Sequence, residues 1–179
     1  MIVHEIHDLS NKHVTDLLLN GLAKIEESDY TKNYHPDYKN DQGNLFNLLE
    51  NGRYRNGHGK YYVLEENNEL VSCAGWNEYD LDKDVAMLLT RMYTIPKHRM
   101  YYHHAEHILP KILEETKHYK HQWLTMNLYN RKMYNWFLRN QEGKATSIYT
   151  AWPDIYKNFK PIGLKNIYYT DQLVAEYQK

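Results

Sequence analysis

Apolar positions change their period along the chain, and each change marks an element. Ile2, Val3 and Ile6 open it as a short strand; Val14, Leu17, Leu18, Gly21, Leu22 and Ile25 then recur at helical spacing behind Asn11, a residue able to cap that helix. From Asp29 to Gly59 the chain turns polar around one short apolar helix signal at Leu45, Phe46, Leu48 and Leu49. Segments of that length are disproportionately lids or binding loops. Tyr61 to Glu65 and Leu70 to Trp76 flank the polar Glu66-Asn67-Asn68-Glu69 and read as a hairpin. Val85 to Ile95 is a third apolar strand, closed by Pro96, suited to a central place in a sheet and broken in character only by Arg91. Tyr102 to Tyr119 is predicted as a helix in which Pro110 imposes a kink or a late start. Trp123 to Leu128 follows as a strand and Asn130 to Leu138 as a helix; Gly163 falls in a strand or turn, and Leu173, Val174 and Tyr177 in a final strand. Strands and helices alternating around an antiparallel hairpin predict one mixed α/β domain spanning 1–179.

Composition narrows the partners. The 179 residues are enough for one ordinary core and leave little room for a second. With 22 Lys and Arg against 23 Asp and Glu, the chain lacks the basic surplus of a nucleic-acid-binding surface, and no nucleic-acid partner is expected. Tyr outnumbers Phe by 18 to 3, so the core is expected to be tyrosine-rich, rings inside and hydroxyls reaching polar partners. No apolar run approaches the roughly 20 residues of a spanning helix. The first ten residues carry His4, Glu5, His7 and Asp8, so neither a membrane contact nor a leader is expected. Cys73, the only cysteine, excludes an internal disulfide and a cysteine-only zinc cage; it is expected to be buried, and the cytoplasm is the expected compartment.

From Tyr61 to Asn140 the order is hairpin, long central strand, Pro with a basic residue, helix, short strand, and a helix opening on Asn. Met92-Tyr93-Thr94-Ile95-Pro96-Lys97-His98-Arg99 fits an apolar-x-apolar-x-Pro-x-x-Arg pattern, and Leu124-Thr125-Met126 is followed by Asn130, Met133 and Phe137. In this order and spacing the chain resembles the Gcn5-related N-acetyltransferase (GNAT) family. The resemblance implies a mixed, mostly antiparallel bent sheet flanked by helices, with a V-shaped splay between two central strands. It also implies acetyl-coenzyme A as co-substrate. The backbone of Met92, Tyr93 and Thr94 would bind the pantetheine arm as a strand-like partner. Arg99, Met100, Tyr101, Tyr102, His103 and His104 would form the pyrophosphate loop at a helix N-terminus, helped by Lys97 and His98. Asn130 would flank the opened side or simply cap its helix.

Two positions depart from the family's pattern. Its pyrophosphate loop has Gly, one residue, then Gly or Ala, where this chain has Tyr102 and His104, so a reshaped loop is expected. Its acid is commonly a Tyr at the place taken here by Phe137, which has no proton to give; Tyr134, one turn earlier, or water would have to substitute.

The implied reaction is direct attack of a primary amine, on a small molecule or a peptide, upon the thioester carbonyl in a ternary complex. A lysine-like amine is mostly protonated at pH 7, a handicap of roughly 4 kcal/mol that a base or desolvation must offset. Glu78 and Asp80 after the second hairpin strand, and Asp84 before the central one, are candidate bases; Arg91 would orient an acidic acceptor or pair with Glu78 or Asp80. Tyr30, Tyr34, Tyr38 and Tyr54 are candidate acceptor contacts. No metal is required. Two other readings stay open. One is a GNAT-like ligand-binding protein with impaired chemistry. The other is a zinc peptidase built on His103, Glu106 and His107, which match H-x-x-E-H, with Glu142 or Glu176 as third ligand. Both a monomer and a homodimer are compatible with the pattern.

Overall fold

The computed structural model describes residues 1–26, 45–47, 49–50, 54, 58–99, 101–127, 135, 137–139, 153–167 and 170–179. Its elements are β1 (Ile2–Ile6), α1 (Lys12–Glu26), β2 (Gly59–Glu66), β3 (Glu69–Tyr79), β4 (Asp82–Thr94), α2 (His103–His107), α3 (Leu109–Glu115), β5 (His121–Asn127), β6 (Phe159–Ile167) and β7 (Thr170–Tyr177), with short 3-10 turns at Pro96–His98 and Asp154–Asn158. The strands form a seven-stranded sheet in the order β1-β2-β3-β4-β5-β7-β6. Every neighbouring pair is antiparallel except β4–β5, which is parallel. That exception requires a crossover, and α2 and α3 supply it.

The local chemistry explains the elements. Asn11 caps α1 by accepting the Val14 N–H on Oδ1 at 3.2 Å. Asn67 and Asn68 turn the β2–β3 hairpin with φ of 53° and 60°, the left-handed pair a tight two-residue turn demands. Gly21 lets α1 lie against β3, because a methyl group there would meet the Leu70 side chain at 2.2 Å. The expected helix to Tyr119 is shorter and broken. Ile108, at φ −100° and ψ −52°, separates two short helices while its N–H still bonds His104 O, Pro110 sits in the first turn of α3, and α3 stops at Glu115. Beyond it Thr116 is held by Gln122, whose Nε2 donates to Thr116 Oγ1 at 2.8 Å and to Leu113 O at 3.1 Å.

Two layers of core follow. On one face α1 packs Val14, Leu18, Leu22 and Ile25 over Tyr61, Val63 and Cys73, joined by Leu45, Leu49 and Tyr54. On the other, α2 and α3 pack Ala105, Ile108, Leu109 and Ile112 over Tyr62, Trp76, Leu88 and Leu124. Tyrosine is a core residue, as expected: Tyr54, Tyr61 and Tyr62 are fully buried. Cys73 is buried too, and burial pushes its thiol up to about 12, which makes it inert. β6 extends well beyond Gly163 as an outer strand, and Gly163 serves its bulge at φ 107°. Among the described residues no helix is long and apolar enough to cross a membrane.

Candidate functional site

β4 and β5 are paired only from Val85↔His121 to Leu88↔Leu124. Past that point β4 stays bonded to β3, as far as Ser72↔Thr94, while β5 stays bonded to β7, as far as Asn127↔Gln172. Neither strand continues along the other, so a slot opens between them. Its cause lies in β4. The β3–β4 register shifts at three places, and two of them, between Cys73 and Gly75 and between Gly75 and Asn77, fall opposite this stretch. Leu89 and Arg91 take left-handed φ of 51° and 50° in that stretch. Two extra residues on one strand bend and twist it away from its neighbour.

Side chains from the β3 side strap the bent segment in place. The Tyr61 hydroxyl donates to Arg91 O at 2.7 Å, Ser72 Oγ donates to Tyr93 O at 3.0 Å, and the Tyr54 hydroxyl shares a 3.2 Å hydrogen bond with Thr90 Oγ1. Tyr54, expected at the acceptor, is instead fully buried and braces β4. Met92, Tyr93 and Thr94 thus lie on the stretch of β4 that does not pair with β5, and Thr125 and Met126 on the stretch of β5 that does not pair with β4. Leu89, Met92 and Met126 are half-buried and pack against the core. The slot therefore combines unpaired strand edges with apolar side chains. Such a lining suits an extended amide-bearing chain.

At the end of β4 the chain turns through Pro96–His98 and Arg99 folds back, its Nε donating to Thr94 O at 3.2 Å. Lys97 turns elsewhere and pairs with Glu69 at 2.8 Å, so the expected basic cluster is divided. Tyr102 precedes α2 with φ 53° and ψ 33°. It takes the left-handed backbone for which glycine is the usual choice, without being glycine. Tyr101 is exposed and its ring stacks on His103 at 5.6 Å and 16°. The Nδ1 of His103 is buried with no hydrogen-bond partner among the described residues. His104 is buried and shares a 2.6 Å hydrogen bond with the Tyr156 hydroxyl. Desolvation, and to a lesser degree the charge of His103, lowers His104 to about 4, so it is neutral at pH 7.

Tyr156 was invisible as a site neighbour in the sequence. It arrives from the C-terminal 3-10 turn and also meets Phe137 edge-on at 6.2 Å. Phe137 is buried in the core. Met100, Asn130, Met133 and Tyr134 lie outside the described residues, as do Tyr30, Tyr34 and Tyr38. An open groove of about 440 Å³ joins the start of α2 to the C-terminal 3-10 turn, lined by Tyr101, Tyr102 and Ile155 and edged by Glu106 and Asp154. Those carboxylates suit a cation better than a phosphate.

Glu78 stands opposite Ala86, on the paired side of Leu88, and Asp80 follows the end of β3. Glu78 accepts the Tyr119 hydroxyl at 2.7 Å and lies 3.4 Å from both Lys83 Nζ and His58 Nδ1. The Tyr119 hydrogen bond, with Lys83 behind it, lowers its pKa. Arg91 is half-buried and forms no ion pair with Glu78 or Asp80 among the described residues, its backbone serving the bulge instead. His103, Glu106 and His107 do gather, with ligand atoms within 4.8 Å of one another, but Glu106 is exposed. Glu176 is no third ligand for them: it binds His121 Nδ1 at 2.5 Å and accepts the Trp123 indole N–H at 3.0 Å. Glu142 lies outside the described residues.

No family model matches the chain, and no curated protein sequence matches it. Solved structures do. A putative GNAT-family acetyltransferase from Desulfovibrio desulfuricans superposes with a TM-score of 0.59 at 10% identity, over 99% of both chains. A ribosomal-protein-alanine N-acetyltransferase from Brucella melitensis gives 0.56 at 15% identity over 100% of both, and an aminoglycoside 6'-acetyltransferase type Ii gives 0.58 at 13% identity over 99% of this chain and 97% of that one. With the parallel β4–β5 pair and its opening in the middle of an otherwise antiparallel sheet, this chain has the fold of the Gcn5-related N-acetyltransferases.

Proposed function

We propose that the protein is an N-acetyltransferase that takes an acyl group, acetyl in the first instance, from coenzyme A and gives it to a primary amine. The observation that carries this reading is the slot itself: β4 and β5 part after Leu88 and Leu124, at a double bulge, beside half-buried Leu89, Met92 and Met126. The pantetheine amides pair with the free edge of β4 at Met92 to Thr94, and the apolar side chains exclude water from the thioester. Arg99 and the loop through Tyr101, Tyr102, His103 and His104 meet the pyrophosphate, with Arg99 supplying the positive charge against the acidic edge that Glu106 and Asp154 give the adjoining groove. Neutral His104 holds the loop to Tyr156 rather than supplying charge.

In the reaction the amine nitrogen forms a bond to the thioester carbonyl carbon, the carbon–sulfur bond breaks, the amine loses a proton and the departing thiolate gains one. Glu78 and Asp80 remain the candidate bases; the Tyr119 hydrogen bond that holds the Glu78 carboxyl low makes it a weaker base than an ordinary carboxylate. Tyr134 remains the candidate acid in place of Phe137, which has no proton to donate. Acetyl-coenzyme A should raise the melting temperature, and thiol should be released when a panel of amines is added. Arg99→Glu should weaken coenzyme binding by roughly tenfold, which corresponds to about 1.4 kcal/mol, the scale of a single charge-assisted hydrogen bond. Stabilisation by acetyl-coenzyme A with no thiol release for any amine would favour the noncatalytic ligand-binding reading. No stabilisation at all would reject the proposal.

A further inference from the structure

On the α1 face, far along the sheet from β5, three elements bring two imidazoles onto one carboxylate. Glu65 on β2 is 3% exposed. His4 on the edge strand β1 puts Nε2 2.6 Å from Glu65 Oε2, and His13 in the first turn of α1 puts Nε2 3.0 Å from both carboxylate oxygens. The two rings meet edge-on at 5.9 Å. Glu65 has no other side-chain partner among the described residues. The nearby lysines are engaged elsewhere, Lys60 with Glu5 and Glu115, and Lys24 with Glu69.

A buried carboxylate is costly unless it is paired and hydrogen-bonded, and here that pairing falls to two side chains that are both metal-ligand types. Among the described residues the only groups that meet Glu65 are two imidazoles, both aimed through the same nitrogen at the same acid. We propose that His4, His13 and Glu65 form a binding site for a divalent transition-metal ion of the zinc class. Two imidazoles and one carboxylate select such an ion over magnesium or calcium, which prefer all-oxygen shells. The ligand atoms already lie within 4.8 Å of one another. Metal–ligand bonds of about 2.0 Å place tetrahedral neighbours roughly 3.3 Å apart. The carboxylate–imidazole separations of 2.6 and 3.0 Å therefore have to widen, and the two imidazole ligand atoms, within 4.8 Å of one another, have to settle to the same spacing. His13 can make that adjustment because its side chain is 53% exposed, and the same open side leaves the fourth position to water. The ion replaces the imidazole protons that now face Glu65 and staples β1 and the start of α1 to β2.

Chelator-treated protein titrated with zinc chloride at pH 7.5, and separately with cobalt chloride to read tetrahedral d–d absorption, tests the site. One equivalent of zinc should bind, the melting temperature should rise with zinc, and cobalt should give the tetrahedral spectrum. His13→Ala removes a half-exposed ligand without opening the core and should weaken zinc binding about tenfold or more. His4→Ala should do the same. The double variant His103→Ala/His107→Ala should bind zinc as the wild type does. Absence of stoichiometric zinc in the wild type overturns the proposal, as does unchanged affinity in both His13→Ala and His4→Ala. Loss of binding in the His103/His107 variant assigns the ion to the other cluster and equally overturns it.

Discussion

Tyr102 and His104 occupy the two positions where the resembled family places small residues, and each solves its problem differently. Tyr102 accepts the left-handed backbone, at a cost of the order of 1 kcal/mol for a residue with a Cβ. His104 keeps ordinary helical geometry and buries its ring against Tyr156, which forces it to remain neutral. The second solution has a pH signature. Above pH 6.5 the imidazole is neutral in both folded and unfolded chains. As pH falls the unfolded chain takes up the proton near 6.5, while the folded one refuses it until about 4. Stability should therefore fall between those two values, by up to about 3 kcal/mol, and level off below them as far as this group is concerned. Urea midpoints measured across that window should decline less steeply for His104→Asn than for the wild type. Equal slopes would mean that His104 is not buried neutral.

The elements show what binary patterning can and cannot reveal. β4 reads from its apolar run as a central strand, and it is one, yet nothing in Leu88-Leu89-Thr90-Arg91-Met92 signals two bulges, because neither left-handed position is glycine or asparagine. Arg91 was the visible irregularity, and its charge suggested an acidic acceptor or an ion pair with Glu78 or Asp80; no such pair forms among the described residues, and the Arg91 backbone takes a left-handed place in the bulge. Arg91→Gly and Arg91→Val remove the same charge, so they isolate that role. Valine cannot take φ near 50° without strain, whereas glycine can. Thermal denaturation should place the Val variant below the Gly variant by about 1–2 kcal/mol. In a regular strand the order would reverse, because valine is the better strand former. The hairpin, Pro110 and the Asn11 cap were legible because each rests on local chemistry. The Tyr156–His104 contact and the Glu65 cluster were not, since they join residues 52 or more positions apart or on separate elements. β6 was only partly visible because its largely exposed residues carry no apolar alternation.

At the scale of the whole molecule, a sheet that is antiparallel everywhere but at one pair concentrates its irregularity where function is proposed. The paired stretch from Val85 to Leu88 holds β4 and β5 together, and the hydrogen bonds from Tyr54, from Tyr61 on β2 and from Ser72 on β3 hold the bent remainder of β4 on the side away from β5. The opening is thus built into the fold itself, which spares a ligand the cost of forcing two strands apart. Acid and base assignments depend on this geometry but do not define it. The most direct test is a crystal structure grown with acetyl-coenzyme A. The account predicts pantetheine lying between β4 and β5, its amides bonded to the backbone of Met92 to Thr94 and its pyrophosphate at Arg99 to His104. Coenzyme bound anywhere else, or crystals in which β4 and β5 zip together beyond Leu88 and Leu124 with the coenzyme excluded, would contradict it.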